Sequence, residues 1–241
     1  MRKGSIFEPL LLPALLISLT YAFYIFQYTA PQDPLKIGEL QGNIIKTYGE
    51  GERVLFFIER SVLLARDKAI IELGENAGMI EYKCKEDVNG KLLWVWNDKC
   101  NPSETEKNYF AYFNKNLEFY LEKYEDFKIE KDNYEFEIKE KKLIGKIKKP
   151  LSFSVYRGDV KVGNYLVEPD FSINFDYDLG IYNKLYEKAL YIADNCKEED
   201  CAKEQLKDYK VEIKTMENFF SIEVDAGYTI KFLIRRKGSL F

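Results

Sequence analysis

Cys84, Cys100, Cys196 and Cys201 are the residues of this 241-residue chain whose type and spacing best support a definite chemistry. An even number of cysteines in an extracytoplasmic setting reads as disulfides, and four allow three pairings. The local pairs, Cys84–Cys100 and Cys196–Cys201, are the first choice. The first closes a loop of ~15 residues, worth ~3 kcal/mol in the chain-entropy account. The second carries a geometric condition. In an unbroken helix, residues five apart have Cα atoms more than ~7 Å apart and point different ways, so the helix must break near Lys197–Asp200. The rival chemistry is a four-cysteine zinc site, against which stands the lack of any C-x-x-C pair.

Other chemistries are limited by what the chain lacks. It has no histidine, so no Ser-His-Asp or Cys-His pair and no His-based zinc site can form. Acid–base work would fall to Glu, Asp, Lys, Tyr or Cys. Carboxylates are so abundant that none stands out as a catalytic pair. There is no G-x-G-x-x-G after a strand, no Walker loop, no H-E-x-x-H and no G-x-S-x-G. No cofactor and no catalytic activity are expected. The net charge of −4 gives no basic field for nucleic acid. Asp170, Ser172, Asn174, Asp176 and Asp178 alternate along one strand face, without the spacing and glycine of a calcium loop. They read as a solvated strand face. Trp94 and Trp96 share one face of a strand, either as an interaction patch or as core.

These residues need elements to hold them. Leu10–Tyr28 is 19 uncharged, mostly apolar residues, and a spanning helix needs ~20 to cross ~30 Å of hydrocarbon. Tyr21, Tyr24 and Tyr28 crowd its second half, as an aromatic belt does. Arg2 and Lys3 place residues 1–9 in the cytoplasm and everything beyond the bilayer outside. Thr20-Tyr21-Ala22 offers a signal-peptidase site, but apolar residues run on to Phe26, which favours a retained anchor. Residues 29–34 form a neck with two prolines, and residues 35–241 an extracytoplasmic domain.

Within that domain, Leu35–Leu73 carries one apolar stripe at helical spacing (Ile37, Leu40, Ile44, Tyr48, Leu55, Ile58, Val62, Ala65, Ala69 and Leu73). Gly42, Gly49 and Gly51 weaken its middle, and Gly74 or Gly78 ends it. Asn89-Gly90 marks a hairpin, which would set Cys84 opposite Val95 rather than Cys100. Pro102–Asp126 reads as a helix with a Ser103–Glu106 capping box and an aromatic stripe of Tyr109, Phe113, Leu117, Tyr120 and Tyr124. Three to five antiparallel strands follow from Phe127 to Tyr177. Leu179–Asn195 and Asp200–Asp208 are helical, and Lys210–Arg236 returns to strands. Helices grouped around strand clusters predict an α+β fold, helices packed on antiparallel sheet behind the membrane helix.

Arg2-Lys3-Gly4 before an apolar helix resembles the leader of type IV pilin-like proteins. The resemblance implies cleavage between Gly4 and Ser5 and a helix packed into a filament core. That family often has Glu at the fifth position after the cut; here Glu8 stands fourth and Pro9 fifth. As a whole the chain is similar to lysine- and tyrosine-rich, single-span archaeal surface proteins. Three functions are therefore open: a membrane-tethered surface protein that is structural or binds a protein partner, a self-assembling pilin-like subunit, and an anchored enzyme or solute-binding domain. In the first and third the lipid bilayer is the partner of residues 10–28.

Overall fold

A computed structural model of the chain describes residues 17–21, 24, 34–80, 84–88, 91–125, 128–216 and 218–236, with the backbone alone for residues 34–37. The Gly4–Ser5 bond, residues 29–33 of the neck and the Asn89-Gly90 turn lie outside the described residues. So does most of Leu10–Tyr28, of which residues 17–21 and 24 are described and helical. Among the described residues no helix is long and apolar enough to cross a membrane.

The fold is α+β. Two compact units make it up, Met1–Gly51 with Ser152–Tyr165, and Glu52–Leu151 with Leu166–Phe241. Helix α1, Pro34–Glu75, contributes residues to each and is continuous through Gly42, Gly49 and Gly51. Its second half buries Val54, Ile58, Val62, Ala65, Ala69 and Leu73, while Ile44 and Tyr48 of the expected stripe are 49 % and 54 % exposed. The helix stops in a Schellman turn. Gly78 N–H donates to the Leu73 carbonyl at 2.8 Å and Ala77 N–H to Gly74 at 3.1 Å, with Ala77 and Gly78 both at positive φ.

In the first unit lies most of a two-stranded hairpin, β5 (Leu151–Arg157) and β6 (Val160–Val167). Its turn contains Gly158 at φ +57°, a left-handed conformation that glycine adopts freely.

The second unit holds two sheets. Hairpin β1 (Lys85–Val88) and β2 (Lys91–Trp96) joins β8 (Lys210–Met216), β9 (Phe219–Asp225) and β10 (Thr229–Arg235) in the order β1-β2-β10-β9-β8. Alternation puts Ile213, Phe220, Ile222, Val224, Ile230 and Phe232 inside. The sheet is mixed rather than antiparallel throughout, because β2 pairs β10 in parallel, Leu233 with Val95 and Ile234 with Trp96. The other sheet has the order β3 (Tyr134–Lys139), β4 (Lys142–Ile147), β7 (Phe171–Asn174). Helix α2, Thr105–Leu121, lies against it, with Phe113 edge-on to Phe136 at 5.0 Å and near Phe171 at 6.2 Å. Helix α3, Ile181–Asn195, packs on β10 and β2, and helix α4, Glu199–Gln205, on β8.

The Ser103–Glu106 capping box does not form. Asn101 Oδ1 accepts from Ser103 N–H at 3.1 Å, and Thr105 donates its hydroxyl to the Pro102 carbonyl. These local bonds delay the helix to Thr105, with Glu104 as an N-cap whose side chain caps nothing.

Candidate functional site

Both local disulfides form. The Cα atoms are 5.6 Å apart in Cys84–Cys100 and 5.5 Å in Cys196–Cys201, and among the described residues no cysteine is free. The β1–β2 register pairs Lys85 with Trp94, which sets Cys84 in line with Val95. Cys100 reaches it because the chain turns back at Asn97, where Asn97 and Cys100 exchange backbone hydrogen bonds of 3.2 and 2.9 Å. The second bond also meets its condition. Helix α3 ends at Asn195, Cys196 and Glu198 are extended, and α4 starts at Glu199. The two disulfides point to an oxidising, extracytoplasmic environment.

Trp94 and Trp96 do not form an exposed interaction patch. They are 6 % and 1 % exposed. Trp96 stacks on Phe232 at 3.7 Å and donates its Nε1–H to the Ala77 carbonyl at 3.0 Å. Trp94 donates to Asn76 Oδ1 at 2.9 Å, with the Lys85 ammonium 4.6 Å over its ring. Both indoles thus fasten β2 to the turn that ends α1.

The most unusual chemistry in the second unit is a run of aromatic rings that sequence reading did not assemble. Tyr109 of α2 meets Phe175 at 4.9 Å, Phe175 meets Tyr177 at 5.4 Å, Tyr177 meets Tyr228 at 5.7 Å, and Tyr228 meets Tyr182 of α3 at 6.3 Å. At its edge, Arg66 of α1 holds Asp67 at 2.7 Å and donates to the Asn174 carbonyl at 2.9 Å, while Tyr177 donates its hydroxyl to Asp67 at 3.2 Å. The hydrogen bond to the Asp67 carboxylate raises the Arg66 pKa above its ordinary value. The hydroxyls of Tyr109, Tyr182 and Tyr228 are buried with no hydrogen-bond partner among the described residues. Tyr182 and Tyr228 influence one another's ionisation, yet neither makes a hydrogen bond of good geometry. Burial raises the pKa of all three hydroxyls and keeps them protonated. The run anchors α1, α2 and α3 around the 225–228 turn. Tyr109 was visible in the sequence as part of a stripe. Tyr228 follows Gly227 in a turn, where local pattern carries no sign of burial.

The acidic alternation after Asp170 is a set of clasps. Asp170 Oδ1 accepts from Ile147 N–H at 2.8 Å, and Asp178 accepts from Gly180 N–H at 2.9 Å and from Lys184 at 3.3 Å. Strand β7 is also shorter than the alternation predicts, ending at Asn174. Among the described residues no three His, Cys, Asp or Glu side chains are placed to hold a metal. Surface clefts remain. One of about 450 Å³ lies between Glu52–Glu59 of α1 and β7. Another of about 410 Å³ is lined by Asp67, Glu75, Tyr177, Tyr228 and Lys231. Their size is that of small-ligand sites. No protein-family model matches the chain, and no curated protein or solved structure matches it significantly.

Proposed function

We propose that this chain is a membrane-anchored extracytoplasmic protein. Residues 10–28 form a single spanning helix with the N-terminus in the cytoplasm. The part beyond residue 34 is structural or binds a protein partner, and performs no catalysis. The observation that carries this reading is the surface of the described part of the apolar segment. Ile17, Leu19, Tyr21 and Tyr24 are 68 %, 58 %, 65 % and 57 % exposed. At 3.6 residues per turn, Ile17 and Leu19 lie on opposite sides of the helix. A helix apolar on both sides has no favourable place in water and belongs in lipid or in a protein core. The disulfides agree, since they favour an oxidising compartment for everything beyond the segment.

Fractionation tests the reading. The protein is expected to stay with membranes washed in alkaline carbonate and to leave them in detergent, and protease added to intact cells should digest residues beyond 34. Release into the carbonate wash overturns the anchor. A second reading, the pilin-like subunit, gains from the unbroken course of α1 through three glycines, which suits a stalk. It requires a mature chain that starts at Ser5, so an intact Met1 on purified protein removes it.

A further inference from the structure

We infer that the cleft between α1 and β7 takes an extended, basic segment of a partner protein as an added β-strand. The inference rests on the partner-binding reading above and gives it a surface. The cleft, of about 450 Å³, has both walls in the second compact unit.

One wall is the free edge of a sheet. In the order β3-β4-β7, strand β7 has a ladder partner on one side only. In an antiparallel pair the N–H and C=O of one residue point to the same side, and successive residues alternate. Phe175 N–H donates to the Lys141 carbonyl, at the start of β4, at 2.8 Å. Ile173 and Phe171 thus turn their backbone groups to β4, and Asn174 and Ser172 turn theirs to α1. The Arg66 guanidinium of α1 accordingly reaches the Asn174 carbonyl at 2.9 Å. Two residues back along that edge, the N–H and C=O of Ser172 have no partner among the described residues. On β8, by contrast, the Glu199 carboxylate closes Thr215 N–H at 2.8 Å. A donor and an acceptor side by side on a strand edge are what the backbone of an added strand pairs with.

The other wall sets what that strand carries. Leu55, Phe56 and Glu59 stand three, four and seven residues after Glu52, the spacing of one helix face. Leu55 is half-buried and Phe56 is 59 % exposed, so an apolar centre lies between two carboxylates. Neither Glu52 nor Glu59 has an ion-pair or hydrogen-bond partner among the described residues. Asp170 adds a third negative charge, and among the described residues no Lys or Arg lines the cleft. Arg60 lies over the Phe56 ring at 5.1 Å, and Arg66 is held by Asp67 and the Asn174 carbonyl. Glu52 and Glu59 are ~10 Å apart along α1, the length of three extended residues. A strand that alternates basic and apolar side chains meets both the carboxylates and the apolar centre.

The test uses the full chain in non-ionic detergent and a fluorescent peptide with blocked ends, Lys-Val-Lys-Ile-Lys, read by anisotropy. Saturable binding is expected, weakened at least ~tenfold by Glu59→Lys, which sets like charges across the cleft. Two further peptides separate strand pairing from charge alone. N-methylation of the valine and isoleucine removes the donors on one edge of the peptide, and N-methylation of the lysines removes those on the other. Since one edge alone can face β7, one of the two should bind as the parent does and the other should not bind. Any other pattern, or no saturable binding by the parent, overturns the added strand, and this arm needs no change in the protein. Ser172→Pro withdraws the N–H that faces the cleft and leaves the β4 ladder whole. It is expected to lose the parent peptide, and full retention by the folded variant overturns the inference. Self-association of the full chain that Ser172→Pro abolishes assigns the cleft to a second copy and overturns it too. A peptide that fails on protein resistant to carbonate leaves the anchor standing. Binding by protein that carbonate releases removes the anchor and keeps the cleft.

Discussion

A buried hydroxyl with no partner costs ~1–3 kcal/mol relative to one that is hydrogen-bonded. Tyr182→Phe is therefore expected to leave stability unchanged or to raise it by up to ~1 kcal/mol, measured by thermal melting. Tyr177→Phe removes a real bond to Asp67 and should cost ~0.5–1 kcal/mol. If Tyr182→Phe proves the more damaging of the two, its hydroxyl is satisfied in solution and the contrast fails. Trp96→Ala sits at the other extreme. It deletes the stack on Phe232 and the bond to Ala77, and should cost ~3–5 kcal/mol. At this scale the sequence was legible where a property is local. The cysteines paired as spacing ranked them, and the helix break that five-residue geometry demands near Lys197–Asp200 falls at Cys196–Glu198. The state of Trp94 and Trp96 was not legible, since alternation shows that two side chains share a face but not which face meets a partner layer.

Elements carry the next set of expectations. Gly145 of β4 faces Phe171 of β7 across the ladder, and a Cβ there would overlap the Phe171 ring. Gly145→Ala should cost ~1–3 kcal/mol by forcing that ring out of place, read by chemical unfolding. Reduction of the Cys84–Cys100 and Cys196–Cys201 bonds should lower stability by ~2–3 kcal/mol each in the chain-entropy account, visible as a fall in Tm with reductant. Acid acts on Glu199, whose carboxylate accepts from Thr215 N–H at 2.8 Å and so ties α4 to β8. That bond, with Lys203 nearby, holds its pKa below the ordinary 4.5. A lowered folded pKa gives stability that is present above 4.5 and lost as pH falls through the folded value. Glu199→Gln should therefore flatten the acid limb of the stability–pH profile and leave its neutral region nearly level. The strands of the last sheet could be anticipated from alternation, down to β8, β9 and β10 in order. The parallel join of β2 to β10 could not, because nothing local to residues 91–96 marks residues 229–235 as their neighbours. The start of α2 was missed for a smaller reason, as the Asn101–Thr105 turn bonds occupy the residues a capping box needs.

For the whole molecule, the α+β class followed from grouping helices and strands, while its division into two compact units did not. The stripe on α1 reads the same along its length, yet Ile58 to Leu73 are buried and Ile44 and Tyr48 are not. Periodicity gives a face, and only the chain folded elsewhere decides how far along it is covered. The membrane reading has its own expectation at this scale. Alkylation of the unreduced protein should add no mass, and after reduction and denaturation it should add four labels, one per cysteine. Free thiols in the native protein would remove the oxidising exterior from the account.

The parallel pair between Val95 and Leu233 also sets an order of events. Chains are made and exported from the N-terminus, and the first hairpin emerges long before its neighbour in the sheet. Until β10 arrives, β2 has an unpaired edge, and Trp96 lacks the Phe232 ring it stacks against. During that interval the Cys84–Cys100 bond can already close, since both residues are out. The early bond would hold the waiting hairpin in shape while its aromatic side is uncovered. A nascent chain halted before residue 229 should consequently bind chaperones through β2 and aggregate when released. The same chain halted beyond residue 236 should not.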